Sequence, residues 1–170
     1  MPELAEVLFA SKAWAKGKES KILKVQTKDA SRVFRELDPS LVRRMFKGST
    51  LEESETHGKK MLFRFSGGKW LGLHLGMTGW LFEEETGHST AKHDALVLRQ
   101  ADRSLVFRDP RQFGRVLCHK GKNAPEWWSD LPPEVHSDAF TLKRVRNILE
   151  LRKRALVKAV LLMQEFFPGI

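Results

Sequence analysis

The chain has 170 residues, enough for one ordinary domain or for one domain and part of a second. Thirty Lys and Arg against 21 Asp and Glu give a formal net charge of +9, which favours a polyanionic partner because bound phosphates release condensed counterions. No apolar run approaches the length of a membrane span and no signal peptide precedes the first element, so we expect no membrane contact and a cytoplasmic location. The single Cys118 excludes an internal disulfide and a cysteine zinc site.

The first feature along the chain is its opening, Met-Pro-Glu-Leu. Removal of Met1 would leave Pro2 as a terminal secondary amine, and even an ordinary α-amino group has a pKa of roughly 7.7 to 8.0. Such an amine attacks carbonyl-like carbons to give an iminium, and Glu3 stands beside it to transfer protons. The structural alternative is that Pro2 only precedes a helix, where its missing N–H costs nothing. Leu4, Val7, Leu8 and Trp14 predict that helix over 3–15.

Short apolar runs separated by turns follow this helix. Ser66-Gly67-Gly68 joins two of the runs and signals a hairpin, and Gly58 marks a tight turn. Strands are predicted over 21–28, 51–56, 61–65, 70–75, 79–82, 95–99, 104–107 and 115–119, and a short helix over 31–37. Turns at about ten-residue spacing predict an antiparallel β-sandwich or barrel.

The composition changes at 121–138, which contains three prolines and the pair Trp127-Trp128. This segment is predicted to be an interdomain linker. Amphipathic patterns then predict helices over 141–152 and 154–167, which cannot bury their apolar faces alone. The predicted organisation is a β-sandwich domain over 1–120, a linker over 121–138, and the start of a helical domain over 139–170.

Three further stretches carry residues with chemical potential. They are Gly58-Lys59-Lys60 at a predicted hairpin tip, the run His74-Leu75-Gly76-Met77-Thr78-Gly79, and the turn Asp109-Pro110-Arg111-Gln112-Phe113-Gly114. Each has an ordinary structural interpretation: a solvated lysine, a methionine that caps the end of a sandwich, and a surface turn. In a DNA-binding protein, an arginine and a phenylalanine that stand two residues apart on the same side of an extended segment, as expected for Arg111 and Phe113, can instead fill the gap left by an extruded base.

With Pro2-Glu3-Leu4 and Glu6-Val7, these stretches resemble the N-terminal part of the formamidopyrimidine-DNA glycosylase and endonuclease VIII family of base-excision repair enzymes. The order and spacing of the motifs are similar to the formamidopyrimidine branch. The resemblance implies an α+β fold, in which an N-terminal helix and a two-layer antiparallel β-sandwich precede a helix-two-turn-helix segment. That segment is incomplete here, because the similarity stops inside it at Phe166-Phe167-Pro168-Gly169-Ile170.

The resemblance also implies the catalytic roles. Pro2 would attack C1′ of the damaged nucleoside, form a Schiff base and drive β,δ-elimination. Glu3 would be the acid/base at the sugar, and Glu6 would support the site. Lys59 would be the hairpin lysine that contacts phosphate and assists base removal, although a one-residue slip in the hairpin would give that role to Lys60.

The implied DNA contacts come from the other motifs. His74 would bind backbone phosphate, while Met77, Arg111 and Phe113 would fill the gap in the duplex and face the orphaned base. The implied partner is damaged double-stranded DNA, bound by a monomer that removes oxidised purines. Family members carry a structural zinc in a C-terminal finger that has no counterpart in this sequence, so we expect no metal and no cofactor in this chain.

Two departures and two alternatives qualify the resemblance. Ala5 replaces a usual proline, and Leu8-Phe9 replaces a usually polar run on the first helix. Without the second half of the DNA clamp, we expect weak duplex binding.

One alternative function is therefore a non-catalytic damaged-DNA binder or inactive relic. The other is an enzyme of the tautomerase type with an N-terminal proline, which the Arg111-Phe113 turn and the basic charge disfavour.

Overall fold

The protein is described by a computed structural model over residues 2–170. The helices are α1 (Leu4–Ala15), α2 (Pro39–Phe46), α3 (Glu126–Ser129), α4 (Leu142–Leu151) and α5 (Val157–Leu161), with a 3₁₀ turn at Arg32–Phe34. The strands are β1 (Lys24–Thr27), β2 (Leu51–His57), β3 (Lys60–Phe65), β4 (Lys69–His74), β5 (Trp80–Glu85), β6 (Asp94–Arg99), β7 (Arg103–Arg108) and β8 (Arg115–Lys120). None of the helices in this range is long and apolar enough to cross a membrane.

The strands form two four-stranded antiparallel sheets, with orders β1-β6-β7-β5 and β2-β3-β4-β8. The predicted α+β class and two-layer sandwich are therefore confirmed. Alternation along β3 shows why the layers pack: Met61, Phe63 and Phe65 are fully buried, whereas Lys60 and Arg64 face away from the core. Short apolar runs between turns predicted these strands from the sequence.

Helix α1 covers one end of the core through Val7, Ala10 and Trp14, which share one helix face. The Trp14 indole N–H donates to the backbone oxygen of Val106 at 3.3 Å. The prediction that Leu8 belongs to this face is wrong, because Leu8 lies on the exposed side of the helix. The buried residues follow Val7 at intervals of three and four, and Leu8 does not.

The segment between β1 and β2 differs from the prediction. The helix expected over 31–37 is only a 3₁₀ turn, and the regular helix is α2, eight residues further on. Asp38 caps α2 by accepting from the Ser40 backbone N–H at 2.8 Å, and Pro39 takes the first helical position. Asp38-Pro39-Ser40 is the start signal of α2 in the sequence, whereas the apolar residues of 31–37 had indicated a helix before it.

The C-terminal part of the chain has its own small apolar cluster, formed by Ile148, Val160 and Phe167. The predicted helix over 141–152 is confirmed as α4. The predicted helix over 154–167 is wrong in extent, because α5 is a single short helix followed by turns. These turns bring Phe167 back onto α4, which a continuous helix would not do. The domain boundaries proposed from the sequence stay a prediction.

The segment 121–138 contains the short helix α3 and packs against the second sheet. The Trp70 indole N–H donates to the Gly121 backbone oxygen at 2.9 Å. The tip of the Trp127 indole lies over Gly72, where an added Cβ would come within 2.4 Å of the ring. Glycine at this position of β4 is therefore what allows the tryptophan to reach the sheet surface.

Candidate active site and nucleic-acid interface

Sheet register brings the chemically relevant residues to one end of the second sheet. Lys60 at the start of β3 stands opposite His74 at the end of β4, and His74 stands opposite Arg115 at the start of β8. The β2–β3 turn and the loop after β4 consequently lie at the same end. Motifs separated by more than fifty residues in sequence converge there because the strands are antiparallel.

A two-residue loop, Gly58-Lys59, joins β2 to β3 between the paired residues His57 and Lys60. Gly58 has a φ of 53°, the conformation that favours glycine in such a tight hairpin. Two contacts from the 121–138 segment hold this turn. The Gly58 N–H donates to a Glu134 carboxylate oxygen at 2.8 Å, and His57 Nε2 lies 2.7 Å from the Pro132 backbone oxygen.

Lys59 extends from this loop toward the N-terminus of α1. Its Nζ lies 2.6 Å from a Glu3 carboxylate oxygen and 3.2 Å from the Ile170 backbone oxygen. The Lys59 side chain is only 8% exposed, whereas that of Glu3 is 58% exposed. Lys60 stands opposite His74 in the sheet and lines a cleft with Arg115, whereas Lys59 makes the contact with Glu3. The geometry therefore favours Lys59 as the lysine beside Pro2-Glu3.

Pro2 is buried immediately before α1, and Met1 lies outside the described residues. The Glu3 backbone N–H donates to a Glu6 carboxylate oxygen at 2.8 Å, as in a capping box. Glu6 thus fixes the backbone that carries Glu3, while its own side chain does not contact Lys59. Carboxylates at this position are also favoured by the positive end of the helix dipole.

The loop after β4 and the loop after β7 are tied together by a buried carboxylate. Asp109 accepts from the Thr78 hydroxyl at 2.9 Å and from the Gly114 N–H at 2.7 Å. Thr78 in turn accepts from the Arg111 N–H at 3.3 Å. Gly76, at a φ of 65°, lies so close that an added Cβ would be 2.5 Å from the Phe113 backbone. The two loops therefore form one unit.

The three predicted duplex-filling side chains project from this unit. Met77 and Phe113 are 47% and 43% exposed, so both side chains are accessible to a binding partner. The Arg111 guanidinium lies 4.9 Å from the centre of the Phe113 ring. The intervening Gln112 has a φ of 58°, so a turn brings Arg111 and Phe113 together, and the segment is not extended as expected.

His74 is held as a neutral side chain. Burial lowers the pKa of His74, and Arg115, Lys60, Arg35 and Lys59 lower it further. His74 Nδ1 accepts from the Gly76 N–H at 3.0 Å, which leaves the proton on Nε2. His74 can therefore donate one hydrogen bond, in keeping with the phosphate contact predicted from the sequence, without adding a charge.

Four residues that organise this end of the sheet were not predicted from the sequence: Thr78, Asp109, Gln112 and Glu134. Asp109 and Thr78 lie inside the motifs, and their pairing has a sequence signal, because a carboxylate in a loop requires hydrogen-bond donors nearby. Gln112 accepts from the Arg32 N–H at 2.9 Å, and Glu134 caps the Gly58 turn. Neither contact has a local sequence signal.

The described residues hold no group of three or more His, Cys, Asp or Glu side chains arranged for a metal ion. Cys118 lies in β8 as expected and is half-buried, and burial raises the pKa of its thiol. It packs against the core and does not line the surface described above.

The sequence matches a family that carries these motifs. A profile of the formamidopyrimidine-DNA glycosylase N-terminal domain covers residues 1–116. The chain belongs to the formamidopyrimidine-DNA glycosylase family. Among relatives of that name, the protein from Roseiflexus sp. (strain RS-1) is 34% identical over 172 aligned positions. The alignment covers 100% of this chain and 63% of the relative.

A second relative, from Thermus thermophilus, is 37% identical over 137 positions, which cover 78% of this chain and 49% of the relative. Solved structures of the Lactococcus lactis enzyme share the fold. One, bound non-covalently to DNA that contains an AP site, has a TM-score of 0.85 at 23% identity and covers 99% of this chain and 65% of that one. Another, with DNA that contains N7-benzyl-Fapy-dG, has a TM-score of 0.85 at 24% identity, with coverages of 99% and 63%. The chain thus spans about two-thirds or less of the length of these family members.

Proposed function

We propose that this chain carries the catalytic part of a DNA glycosylase that removes oxidised purines from damaged duplex DNA and then cleaves the abasic site. The observation that carries the proposal is the ion pair between Lys59 and Glu3 next to Pro2. Family membership supports the glycosylase activity, and the DNA in the Lactococcus lactis complexes supports the substrate class.

The proposed reaction begins after Met1 is removed, because an amide nitrogen has no free lone pair to attack with. The Pro2 amine forms a bond to C1′ of the damaged nucleoside as the glycosidic bond breaks. The departing base takes up a proton, and the amine loses one. Opening of the sugar gives an iminium between Pro2 and C1′, which acidifies the proton on C2′. Loss of that proton expels the 3′ phosphate, and a further elimination expels the 5′ phosphate.

Glu3 and Lys59 have different roles in this scheme: Glu3 transfers protons, and Lys59 holds the Glu3 carboxylate in place. The exposed Glu3 carboxylate is available to exchange protons with the sugar, while the buried Lys59 ammonium holds it at 2.6 Å. Lys59 is also placed to neutralise a phosphate or the departing base. Nucleophile, acid and lysine all come from the chain, so the proposed chemistry requires no metal or cofactor.

Access to C1′ requires that the damaged nucleotide leave the base stack. Extrusion costs a few kcal/mol, and side chains that occupy the vacated space offset this cost. We assign that role to Met77, Arg111 and Phe113. The hydrogen bonds of Asp109 support the assignment, because they hold the two loops that present these side chains. The neutral His74 is proposed to donate to a backbone phosphate.

Trapping of the iminium tests the proposal. The protein is incubated with a duplex that contains one abasic site, and borohydride reduces any iminium to a stable covalent adduct. We expect an adduct with the Met1-processed chain, and none with an N-terminal extension that keeps Pro2 in an amide. Pro2→Gly keeps a terminal amine, now a primary one, and is expected to give a reduced yield of adduct. Mass spectrometry of the protein establishes whether Met1 is present in each sample.

Two lysine variants sharpen the same experiment. Lys59→Gln is expected to slow trapping by about 10²-fold, because it removes the partner of Glu3. Lys60→Gln at saturating DNA serves as the matched comparison, since it removes the same charge from the adjacent residue. Equal rates for the two variants would contradict the assignment of Lys59. Salt-sensitive DNA binding without any adduct from the processed chain would identify a non-catalytic binder of damaged DNA.

A further inference from the structure

A row of basic side chains crosses the outer face of the second sheet. Lys60, His74 and Arg115 occupy directly opposed positions on β3, β4 and β8. Side chains at such positions lie about 4.5 to 5.5 Å apart at their Cβ atoms, and like charges there are destabilising. The neutral His74 separates the two charged members of the row. A protein keeps such an arrangement at a cost in stability unless an anion compensates it.

A third cation joins the row from the 3₁₀ turn. Arg35 donates to the Gly114 backbone oxygen at 2.7 Å, which fixes its guanidinium beside the start of β8. Glu36 accepts from Arg115 Nε at 3.0 Å and is the carboxylate among the residues that line this cleft. Three cations thus face one carboxylate. Burial lowers the pKa of Lys60, and the charge of Arg115 lowers it further.

The cations surround a cleft with a volume of about 480 Å³. Trp127 forms one wall, where its ring tip lies over Gly72, and Phe113 forms the other. Phe113 is also one of the side chains proposed to enter the duplex. A nucleic-acid strand that contacts Phe113 therefore passes the mouth of this cleft. Cations and aromatic walls are the combination that binds nucleotides along a strand.

We infer that this cleft is a second phosphate-binding site, in which Lys60 and Arg115 together bind an internucleotide phosphate of the strand that passes Phe113. Arg35 stands at its edge and supports the positive potential. The contacts of the site differ from those of the Lys59–Glu3 pair, since neither Lys59 nor Glu3 lines this cleft. The inference rests on the proposed function in one respect, that the bound polymer is DNA.

The salt dependence of DNA binding tests the inference. The dissociation constant for a duplex with an abasic-site analogue is measured between 50 and 300 mM salt, and log K is plotted against log salt. Each phosphate that a protein neutralises contributes a slope of about −0.9 for duplex DNA. We expect Lys60→Gln and Arg115→Gln each to reduce the magnitude of the slope by about 0.9.

Lys120→Gln is the matched control, because it removes the same charge from an exposed position at the far end of β8. Its slope is expected to equal that of the wild-type chain. Lys60→Gln leaves the Arg115–Glu36 ion pair in place, so agreement between the two cleft variants excludes a released Glu36 as the cause. Circular dichroism and thermal unfolding establish that all variants are folded.

The results answer two questions: whether the cleft binds phosphate at all, and whether that phosphate belongs to a nucleic-acid strand or is free in solution. Inorganic phosphate is added at constant ionic strength, and the weakening of DNA binding is measured. A weakening that is present in the wild-type chain and absent in Arg115→Gln supports the inference, because free phosphate and the strand then compete for the same cleft. A cleft that takes only free phosphate would leave the salt slopes of Lys60→Gln and Arg115→Gln equal to that of Lys120→Gln, and would overturn the assignment to a strand. Cleft variants that match Lys120→Gln, or a wild-type chain that does not bind duplex, would overturn the inference outright. Failure of borohydride trapping overturns the catalytic proposal and leaves the slopes unaffected.

Discussion

The β-sandwich and the C-terminal helices bury their apolar side chains to very different degrees. In the sandwich, residues such as Trp14, Phe63 and Phe107 are completely buried. On α4 and just before α5, Leu142 and Leu156 are 77% and 80% exposed. Apolar burial is the main favourable term in folding, so most of the folding free energy must come from the sandwich. The C-terminal region depends on a small cluster and on its contacts with the Gly58-Lys59 hairpin.

The largest expected effect is the loss of stability when a buried aromatic side chain is truncated, and it can be compared directly between the two regions. Phe63→Ala removes a fully buried ring that packs on Trp14 at a centroid distance of 5.1 Å. We expect a loss of about 3 to 5 kcal/mol in the free energy of unfolding. Phe167→Ala is the matched change in the small cluster, where its ring meets Phe140 at 5.6 Å.

Phe167→Ala is expected to loosen 139–170 without unfolding the sandwich, because the cluster that it opens is local. Urea denaturation followed by tryptophan fluorescence measures the first effect. Amide hydrogen exchange, resolved by segment, measures the second. Equal losses of global stability in both variants would show that the two regions unfold as one unit.

The next effect concerns the carboxylate that ties the two loops of the sandwich. Asp109→Ala leaves the buried Gly114 N–H without its acceptor, at a cost of about 1 to 3 kcal/mol. Asp102→Ala is the control, since this exposed carboxylate pairs with Arg103 at the surface, where solvent screens the ion pair, and its loss is expected to be less destabilising. Urea denaturation compares the variants. If Asp109→Ala is no more destabilising than Asp102→Ala, the carboxylate does not hold the loops.

A smaller effect appears in the pH dependence of stability. Because the pKa of folded His74 lies below its ordinary value of 6.5, the unfolded chain binds the proton more readily. The stabilising neutral form is fully present above about pH 6.5, and stability falls as the pH drops toward the folded pKa. His74→Asn keeps an acceptor for the Gly76 N–H and cannot titrate. Its unfolding free energy should depend less on pH between 5 and 7, and an unchanged pH dependence would contradict this account.

The smallest effect is a shift in the titration of His74 itself. Arg115→Gln removes one of the cations that lower the pKa of His74, so that pKa should rise toward 6.5. Lys120→Gln should leave it unchanged. Histidine ring signals followed by NMR over a pH series measure both. A His74 pKa that does not respond to Arg115→Gln would show that the charge of Arg115 does not contribute to it.

The regular parts of the sandwich were predictable because short apolar runs and the turn residues between them are local signals. The predicted length of α5 was wrong, because the apolar pattern continues past Leu161, where the helix ends and the chain turns back onto α4. Motif order was enough to nominate Lys59, Glu3 and the exposed Met77. The capping of Gly58 by Glu134 was not predictable, because it joins residues 76 positions apart through folding alone.

The two-residue turn at Gly58-Lys59 has a consequence for how this chain can vary. Lys59 and Lys60 are chemically identical neighbours, and only their place in the hairpin sends one toward Glu3 and the other toward His74. Substitutions around the turn alter a contact, but an insertion or deletion of one residue would exchange the two surfaces. The function proposed for this hairpin is therefore more sensitive to its length than to the identity of the residues around the turn.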